Sequence, residues 1–304
     1  MIDLVNNRRW FFLISAILIV TGLIFLAFFG LNLGIDFSSG TAVTLNIEPP
    51  SRIADLRQEM TRLGYEEAVI QDAGGGDFFV RTRAIDSEER QAMFSGLEAG
   101  LGASVTELAL YSVSPVIAQG TVRNTGIAIL VTAIGILLYL AWAFRRMPKP
   151  VRWGTCAVAA LVHDVLVVVI LFAVLGKVAG YEIDAAFVTG LLAVVGISVN
   201  NTVVVFDRIR ANLKRGVGSF ELGVNAGINE SIVRSLNTGL ATLFVILAIY
   251  LLGGVTVRNL VLVLLVGIAT GIYSSLCIAG QLLVTWQKLS PRGLLSKRQP
   301  TGQV

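Results

Sequence analysis

The chain has 304 residues, of which 55% are hydrophobic and only 14% are charged, and its mean hydropathy is +0.76. Because a soluble domain carries about 25% charged residues, this composition excludes an ordinary soluble protein and predicts a membrane protein with one modest soluble part. The net charge of +4 does not indicate nucleic-acid binding, because the basic residues stand in short loops between apolar segments.

Six apolar segments are long enough to cross a bilayer, which takes about 20 residues in a helix. They cover residues 11–29, 124–144, 154–175, 185–206, 234–253 and 259–285. The first segment follows Arg8 and Arg9, as the core of a signal peptide would, but no small-residue cleavage site comes after it. We therefore predict an uncleaved first span.

The orientation of the chain follows from the distribution of its charge. Lysines and arginines cluster before the first span, after the second, after the fourth and after the sixth, whereas segment 30–122 is acidic. The positive-inside rule then predicts that both termini are cytoplasmic and that segment 30–122 is external. The predicted division is the N-terminus with the first helix (1–29), the external domain (30–122), a five-helix bundle (123–287) and a basic cytoplasmic tail (288–304).

The external segment has the element order of a small α+β domain. The predicted elements are a strand at 40–47, a helix at 51–63 capped by Ser51, strands at 68–71 and 77–82 joined by a glycine turn at 74–76, a helix capped by Ser87, and a strand at 103–113. The order β-α-β-β-α-β is that of the ferredoxin-like fold. No helix follows the glycine turn, which favours a hairpin over a phosphate-binding loop.

The third span holds a charged pair, His163 and Asp164, in the middle of its apolar residues. A carboxylate at the centre of a bilayer costs about 2.5–3.5 kcal/mol on insertion scales, so it is rarely kept for packing alone. Burial disfavours the charged form of a carboxylate and a neighbouring cation favours it. A group under both influences can take up and release a proton, and we predict that Asp164 and His163 belong to a proton pathway.

The fourth and fifth spans carry polar residues at similar predicted depths. The fourth-span polar patch consists of Ser198, Asn200 and Thr202, and Asn201 stands between them. The fifth span opens with Arg234, Asn237 and Thr238 on one helix face. We expect these groups to meet Asp164 in one interior. Hydrogen bonding between helices also explains the uncharged groups, and a side chain that reaches the cytoplasmic interface explains Arg234.

The last span contains Gly267 and Gly271, whose spacing allows close packing of helices, either within this chain or against a partner subunit. Cys156 and Cys277 stand in apolar spans without the spacing of metal ligands. The motifs HExxH, GxSxG and Walker A do not occur in the sequence. We therefore predict a protein that is not an enzyme and that uses no metal or cofactor.

Three motifs resemble the SecF family, whose members belong to the bacterial SecDF complex and are related to RND exporters. They are LGIDFSSGT at 33–41, VGISVNNTVVVFDRIR at 195–210 and NESIVRS at 229–235, and the His163–Asp164 pair also matches. The resemblance extends over essentially the whole chain. It implies that the six helices form half of an RND-like bundle in the bacterial cytoplasmic (inner) membrane.

The resemblance also implies function and partners. Members of the family work with a SecD subunit and use the proton motive force to help unfolded secretory polypeptides leave the Sec translocation channel. In the family, an aspartate in the fourth-span motif and the fifth-span arginine are assigned to proton transport. Arg234 matches that arginine, but Asn201 occupies the aspartate position, and an amide cannot titrate.

The Asn201 difference leaves two explanations open. Either the chain is an engineered variant, or its proton pathway relies on Asp164 and a carboxylate of the SecD subunit. Two alternative functions also remain. An RND-type exporter of lipids or small molecules explains the charges within the spans, and a scaffold of the translocon that transports nothing explains Asn201.

Overall fold

The structure consists of a membrane helix, a small α+β domain and five further membrane helices. The α+β domain is called the external domain here, after the orientation that the charge distribution predicts. This computed structural model describes residues 2–145, 149–216, 218–254 and 257–289. The first membrane helix is α1 (Arg8–Phe29). The external domain contains α2 (Ile35–Ser38), β1 (Gly40–Glu48), α3 (Ile53–Arg62), β2 (Val69–Gly74), β3 (Asp77–Thr82), α4 (Ser87–Leu101) and β4 (Ser104–Val113).

The external domain has the ferredoxin-like fold that its element order predicted. Its sheet is antiparallel with the strand order β2-β3-β1-β4. Alternate side chains of β1 point to one face, where Leu45 and Ile47 pack with Leu56 of α3 and Leu97 of α4 in a buried core. The opposite face of the sheet carries Arg81, which pairs with Glu182 outside the domain.

Both predicted helix caps in this domain are wrong by one residue. The N-cap of α4 is Asp86, whose carboxylate accepts a hydrogen bond from the Glu89 amide at 2.8 Å, rather than Ser87. The N-cap of α3 is Arg52, which makes no side-chain capping bond, rather than Ser51. Aspartate and serine both serve well as N-caps, so their adjacency left the position of the α4 cap undetermined.

The membrane bundle confirms the predicted number of spans within the described residues. After the external domain come α5 (Pro115–Phe144), α6 (Pro150–Ala179), α7 (Ala185–Lys214) and α8 (Phe220–Leu252). The sixth span is α9 (Arg258–Ser274), followed by a π-helical turn (Ser275–Ala279) and α10 (Gly280–Leu289). The predicted basic tail lies outside the described residues from residue 290 onward.

The helices extend beyond the apolar segments that predicted them. α8 begins at Phe220 rather than at residue 234, and α7 continues to Lys214 rather than ending at residue 206. α5 begins at Pro115, within the segment predicted to be external, because Ser114 caps it. The 33 residues of α8 span about 50 Å, which exceeds a hydrocarbon thickness of about 30 Å. Hydropathy therefore marks the part of a helix in lipid and not its ends.

The core of the bundle lies between α7 and its neighbours. Val205, Phe206 and Ile209 of α7 are completely buried, and Trp153 of α6 packs edge-on against Phe206 with their ring centroids 5.2 Å apart. At Gly227, α8 approaches α7 so closely that a Cβ atom there would lie 2.5 Å from the Ile209 Cα atom. This contact fixes the spacing of the two helices.

We predict that Gly227→Ala destabilises the bundle by about 3 kcal/mol, the upper end of ordinary overpacking, because the added methyl group meets backbone rather than a mobile side chain. Denaturant unfolding in detergent micelles measures the effect. Gly135→Ala in α5 is the matched control, since a Cβ atom there meets nothing within 4 Å. Equal stability of the two variants would contradict the close contact.

Candidate functional site

Asp164 lies at the centre of a buried hydrogen-bond network. Its side chain is fully buried, and its Oδ2 accepts hydrogen bonds from the hydroxyls of Ser198 in α7, at 2.5 Å, and Ser274 in α9, at 2.7 Å. Oδ1 lies 3.0 Å from Nδ1 of His163. Among the described residues, His163 is the only basic group within ion-pair distance of Asp164. The site therefore couples one carboxylate to one imidazole.

The network also reaches the first membrane helix. Nε2 of His163 lies 3.0 Å from the hydroxyl of Ser15 in α1, and both residues are buried. The two ring nitrogens of His163 thus contact different partners, which holds the ring in one orientation. Four helices, α1, α6, α7 and α9, contribute side chains to the site.

Asp164 and the two serines that donate to it lie at similar depths in the bundle. Counted at 1.5 Å per residue from the helix ends beside the external domain, Asp164, Ser198 and Ser274 are about 20–24 Å deep. The π-helical turn of the sixth span begins directly after Ser274, and such turns frequently occur at functional sites. At Gly271, α9 lies directly against α7, since a Cβ atom there would be in van der Waals contact with the Ser198 Cβ atom, at 3.4 Å.

The last span's small residues serve packing within this chain. A Cβ atom at Gly267 would overlap the Val194 side chain of α7, and the Gly271 contact involves the same helix. Of the two readings of this motif, the structure thus favours contact inside the bundle. This tight contact brings Ser274 within reach of Asp164.

The polar residues of the fourth and fifth spans do not all join this site. Ser198 contacts Asp164, and Thr202 is buried one turn further along α7. Asn201 is half-buried and Asn200 is exposed. On α8, three polar side chains are exposed and form no hydrogen bond with the described residues: Arg234, Asn237 and Thr238. The expected contribution of the fifth span to the Asp164 site is therefore wrong within this chain, and α9 takes its place.

A second polar cluster joins the external domain to the membrane helices. The backbone amide of Gly34 donates to the Ile183 carbonyl oxygen at 2.8 Å, and the Ile183 amide donates to the Asn32 carbonyl oxygen at 2.8 Å. Beside this backbone pairing, Nη1 of Arg81 in β3 lies 2.7 Å from Oε2 of Glu182. The loop between α6 and α7 is thus fastened to the sheet of the external domain.

The start of α7 is held by two carboxylates. Asp184 caps the helix, accepting from the Phe187 amide at 2.6 Å and from the Asn259 side chain at 2.7 Å. Asp36 of α2 accepts from the Ala185 amide at 2.8 Å and from the Tyr111 hydroxyl at 2.9 Å. Negative charge at a helix N-terminus is stabilising. One helix therefore connects the external domain at its outer end with Asp164 through Ser198.

Glu182 makes this junction sensitive to pH. Burial raises the pKa of its carboxyl to about 7, although Arg81 lowers that pKa, and Oε1 has no hydrogen-bond partner among the described residues. A carboxyl freed from the junction would return towards the ordinary value of 4.5. The docked state therefore binds a proton more tightly than the undocked state, and lowering the pH through 7 strengthens docking.

We predict that the amides of Gly34 and Ile183 are better protected from hydrogen exchange at about pH 6 than at about pH 8, after correction for intrinsic exchange rates. Glu182→Gln removes the titrating group, so protection in this variant should not change over the same range. A pH dependence that survives in Glu182→Gln would assign the effect to another residue.

Several residues of these clusters gave weak signals in the sequence. Ser274 stands in a stretch of small residues that suggested packing, and Ser15 is an isolated polar residue in an apolar helix. Glu182 and Asp36 lie far apart in sequence, so only the folded chain brings them to one junction. The contacts that place each of these residues in its cluster are with residues far away in the sequence, which a local pattern cannot predict.

Comparisons with known proteins agree on one family. The family described as "Protein export membrane protein SecD/SecF, C-terminal" matches residues 96–289, and the "SecD/SecF GG Motif" matches residues 24–51. The chain is 42% identical to the protein translocase subunit SecF of Thermobaculum terrenum, with 99% of this chain and 98% of the relative covered. It is 37% identical to SecF of Anaerolinea thermophila, with 94% of each covered.

A solved structure is also similar. The crystal structure of SecDF, a translocon-associated membrane protein from Thermus thermophilus, matches with a TM-score of 0.83 and 32% identity. The match covers 94% of this chain but 39% of the SecDF chain. The likeness therefore spans about two fifths of that larger protein.

Proposed function

This chain belongs to the SecD/SecF family of protein-export membrane proteins, and we propose that it works with a SecD subunit to drive export with the proton motive force. In this proposal it assists unfolded secretory polypeptides at the Sec translocation channel of the bacterial inner membrane. Its relatives are named as translocase subunits, which fits transport rather than enzymatic catalysis.

The observation that carries the proposal is the environment of Asp164. A fully buried carboxylate with hydrogen bonds from α7 and α9 and a histidine beside it has what a proton carrier needs, because its charge can change while its neighbours keep it bonded. Asn201 cannot carry a proton. We therefore assign the titrating role in this chain to Asp164 with His163.

The exposed polar face of α7 and α8 supports a SecD partner. Arg234, Asn237 and Asn200 are exposed in this chain and lie about 22–27 Å from the outer ends of their helices. Polar and charged groups at this depth are unfavourable against lipid and almost always face protein or water. A polar surface of the SecD subunit would cover them, with a carboxylate opposite Arg234.

Helix α7 links the external domain to the Asp164 site. α7 contacts Asp164 through Ser198 and holds the external domain through Asp36 and Asp184. If proton transfer at Asp164 shifts α7, the junction between α7 and the external domain moves with it. We propose for the chain the membrane topology that its charge distribution predicts. Both termini and the tail 288–304 are cytoplasmic, segment 30–122 is external, and residues 123–287 form the helix bundle.

Reconstitution tests the proposal. Liposomes that contain this chain with a SecD subunit would be given a proton gradient, and an internal pH-sensitive dye would report proton flux. We expect flux through the complex, and export of a secretory polypeptide by membrane vesicles that depends on the same gradient.

The alternative functions are outcomes of this experiment. Stimulated export without proton flux would identify a scaffold, which the Asn201 position favours. Gradient-driven loss of a lipid or small molecule without an effect on polypeptide export would identify an exporter. Either result would overturn the proton-driven role in protein export.

A further inference from the structure

A continuous hydrogen-bond chain leads from Asp164 to the first turn of α1. Beyond His163 and Ser15, the Ser15 hydroxyl lies 3.2 Å from the Tyr273 hydroxyl, which donates to the Phe11 carbonyl oxygen at 3.2 Å. Ser15 is buried and Tyr273 is half-buried. Phe11 lies about 5 Å along the axis from the first residue of α1, so the chain of bonds leads towards the end of α1 that carries Arg8 and Arg9.

The distances of this chain allow its bonds to run in either direction, since either hydroxyl of the Ser15–Tyr273 pair can donate. In one arrangement, Tyr273 gives its one hydroxyl proton to the Phe11 carbonyl oxygen and Ser15 donates to the Tyr273 oxygen. The Ser15 oxygen then accepts from Nε2–H of His163, and one further proton is shared between Nδ1 of His163 and Oδ1 of Asp164. The histidine and aspartate together hold two protons in this arrangement.

Loss of one proton leaves every link from Asp164 to Tyr273 intact. If the two hydroxyls turn round, Tyr273 donates to Ser15 and Ser15 donates to Nε2 of His163, while the proton between Nδ1 and Oδ1 stays. The Phe11 carbonyl oxygen is the group that loses a hydrogen bond, and it remains bonded within its helix. The network is thus satisfied in two protonation states that differ by one proton and by the direction of two hydroxyls.

We propose that Ser15 and Tyr273 form a proton relay between the His163–Asp164 pair and water at the end of the bundle where α1 begins. This inference rests on the proposed proton-driven function. In one transfer, the Nε2–H bond of His163 breaks as an O–H bond forms on Ser15. The Ser15 proton passes to Tyr273, and the Tyr273 proton passes to a water molecule, which becomes hydronium.

The side chains that contact the relay residues carry no fixed charge that would compete for the proton. α7 contributes Ser198, and α9 contributes Ser274 and Tyr273, none of which is ionic at neutral pH. Across the described ranges, no lysine, arginine or glutamate forms an ion pair with His163 or Asp164. The thiol of Cys277 is the other titratable group beside Tyr273.

Tyr273→Phe tests the relay because it removes the hydroxyl and keeps the ring, which packs edge-on against Phe11 at 6.4 Å between centroids. In liposomes with the SecD subunit, we expect proton flux to fall by about 10-fold to 100-fold. A 100-fold loss equals the smallest rate enhancement that a positioned proton-transfer group typically contributes, about 100-fold. Ser15→Ala should give the same loss, and Ser15→Thr, which restores a hydroxyl, should recover flux. The ratio of flux in H2O to flux in D2O should change in the impaired variants.

Thr21→Val is the matched control on α1, because the Thr21 hydroxyl donates only to backbone carbonyls of its own helix. We expect its flux and isotope ratio to equal those of the unaltered chain. Flux within twofold of the unaltered complex in both Tyr273→Phe and Ser15→Ala would overturn the relay and leave the proposed function standing. Absence of flux in the unaltered complex would overturn the proposed function itself.

Discussion

Asp164→Asn should abolish proton-dependent export while leaving the helices packed. The asparagine can turn its carbonyl oxygen towards the hydroxyls of Ser198 and Ser274, and its NH2 group can donate to Nδ1 of a neutral His163. Every hydrogen bond of the carboxylate therefore has a replacement. What the variant loses is the ability to change charge, so we expect proton flux at background.

The measurement pairs proton flux and polypeptide export with the free energy of unfolding. Asp55→Asn is the control, because it removes a partly exposed carboxylate of α3 that pairs with Arg52 and should leave both rates unchanged. Asp164→Leu should instead destabilise the fold by about 1–3 kcal/mol for each serine hydroxyl left without an acceptor. Normal flux in Asp164→Asn would refute the carrier role.

The external domain and the six spans could be predicted because each depends on a local pattern. Strand alternation and turn glycines define the sheet, and apolar length defines a span. Asp164 stood out for the same reason, since a carboxylate in an apolar run needs no neighbours to be noticed. These features are properties of single segments.

The partners of Asp164 could not be predicted because they depend on the rotation of each helix about its axis. α8 has no strongly one-sided distribution of apolar residues, so its sequence does not state which face meets α7 and which meets α9. The sequence predicts that Arg234 and Asn237 face Asp164, but they are exposed, and Ser274 of α9 contacts Asp164 instead. The π-helical turn after Ser274 changes the phase of the last span, which the sequence pattern does not reveal.

The position of Asn201 shows the same limit. Asn201 is only three residues from Ser198, which contacts Asp164. Its side chain is nevertheless half-buried and forms no hydrogen bond with the described residues. On a helix, three residues turn the side chain by about 300°, which points Asn201 partly away from Ser198. The position at which the family resemblance predicts an aspartate therefore lies towards the exposed polar face of this chain.

Arg234→Gln should also abolish proton-dependent export, but through the SecD contact rather than through Asp164. Arg234 is exposed on α8 about 27 Å from the outer end of that helix, and it has no ion-pair partner among the described residues. A guanidinium at that depth needs a carboxylate or water. If the SecD subunit supplies the carboxylate, glutamine leaves that group unpaired in the interface, where an unpaired charge is strongly unfavourable.

Arg234→Lys separates this role from a cytoplasmic anchor. A lysine reaches the membrane surface as well as an arginine does, but it cannot make the two parallel hydrogen bonds of a guanidinium to a carboxylate. We expect Arg234→Lys to lower export markedly, with normal membrane insertion, and Arg57→Gln on the exposed face of α3 to have no effect. Full export by Arg234→Lys, together with an insertion defect in Arg234→Gln, would make Arg234 an anchor and remove the reason to place a SecD carboxylate opposite it.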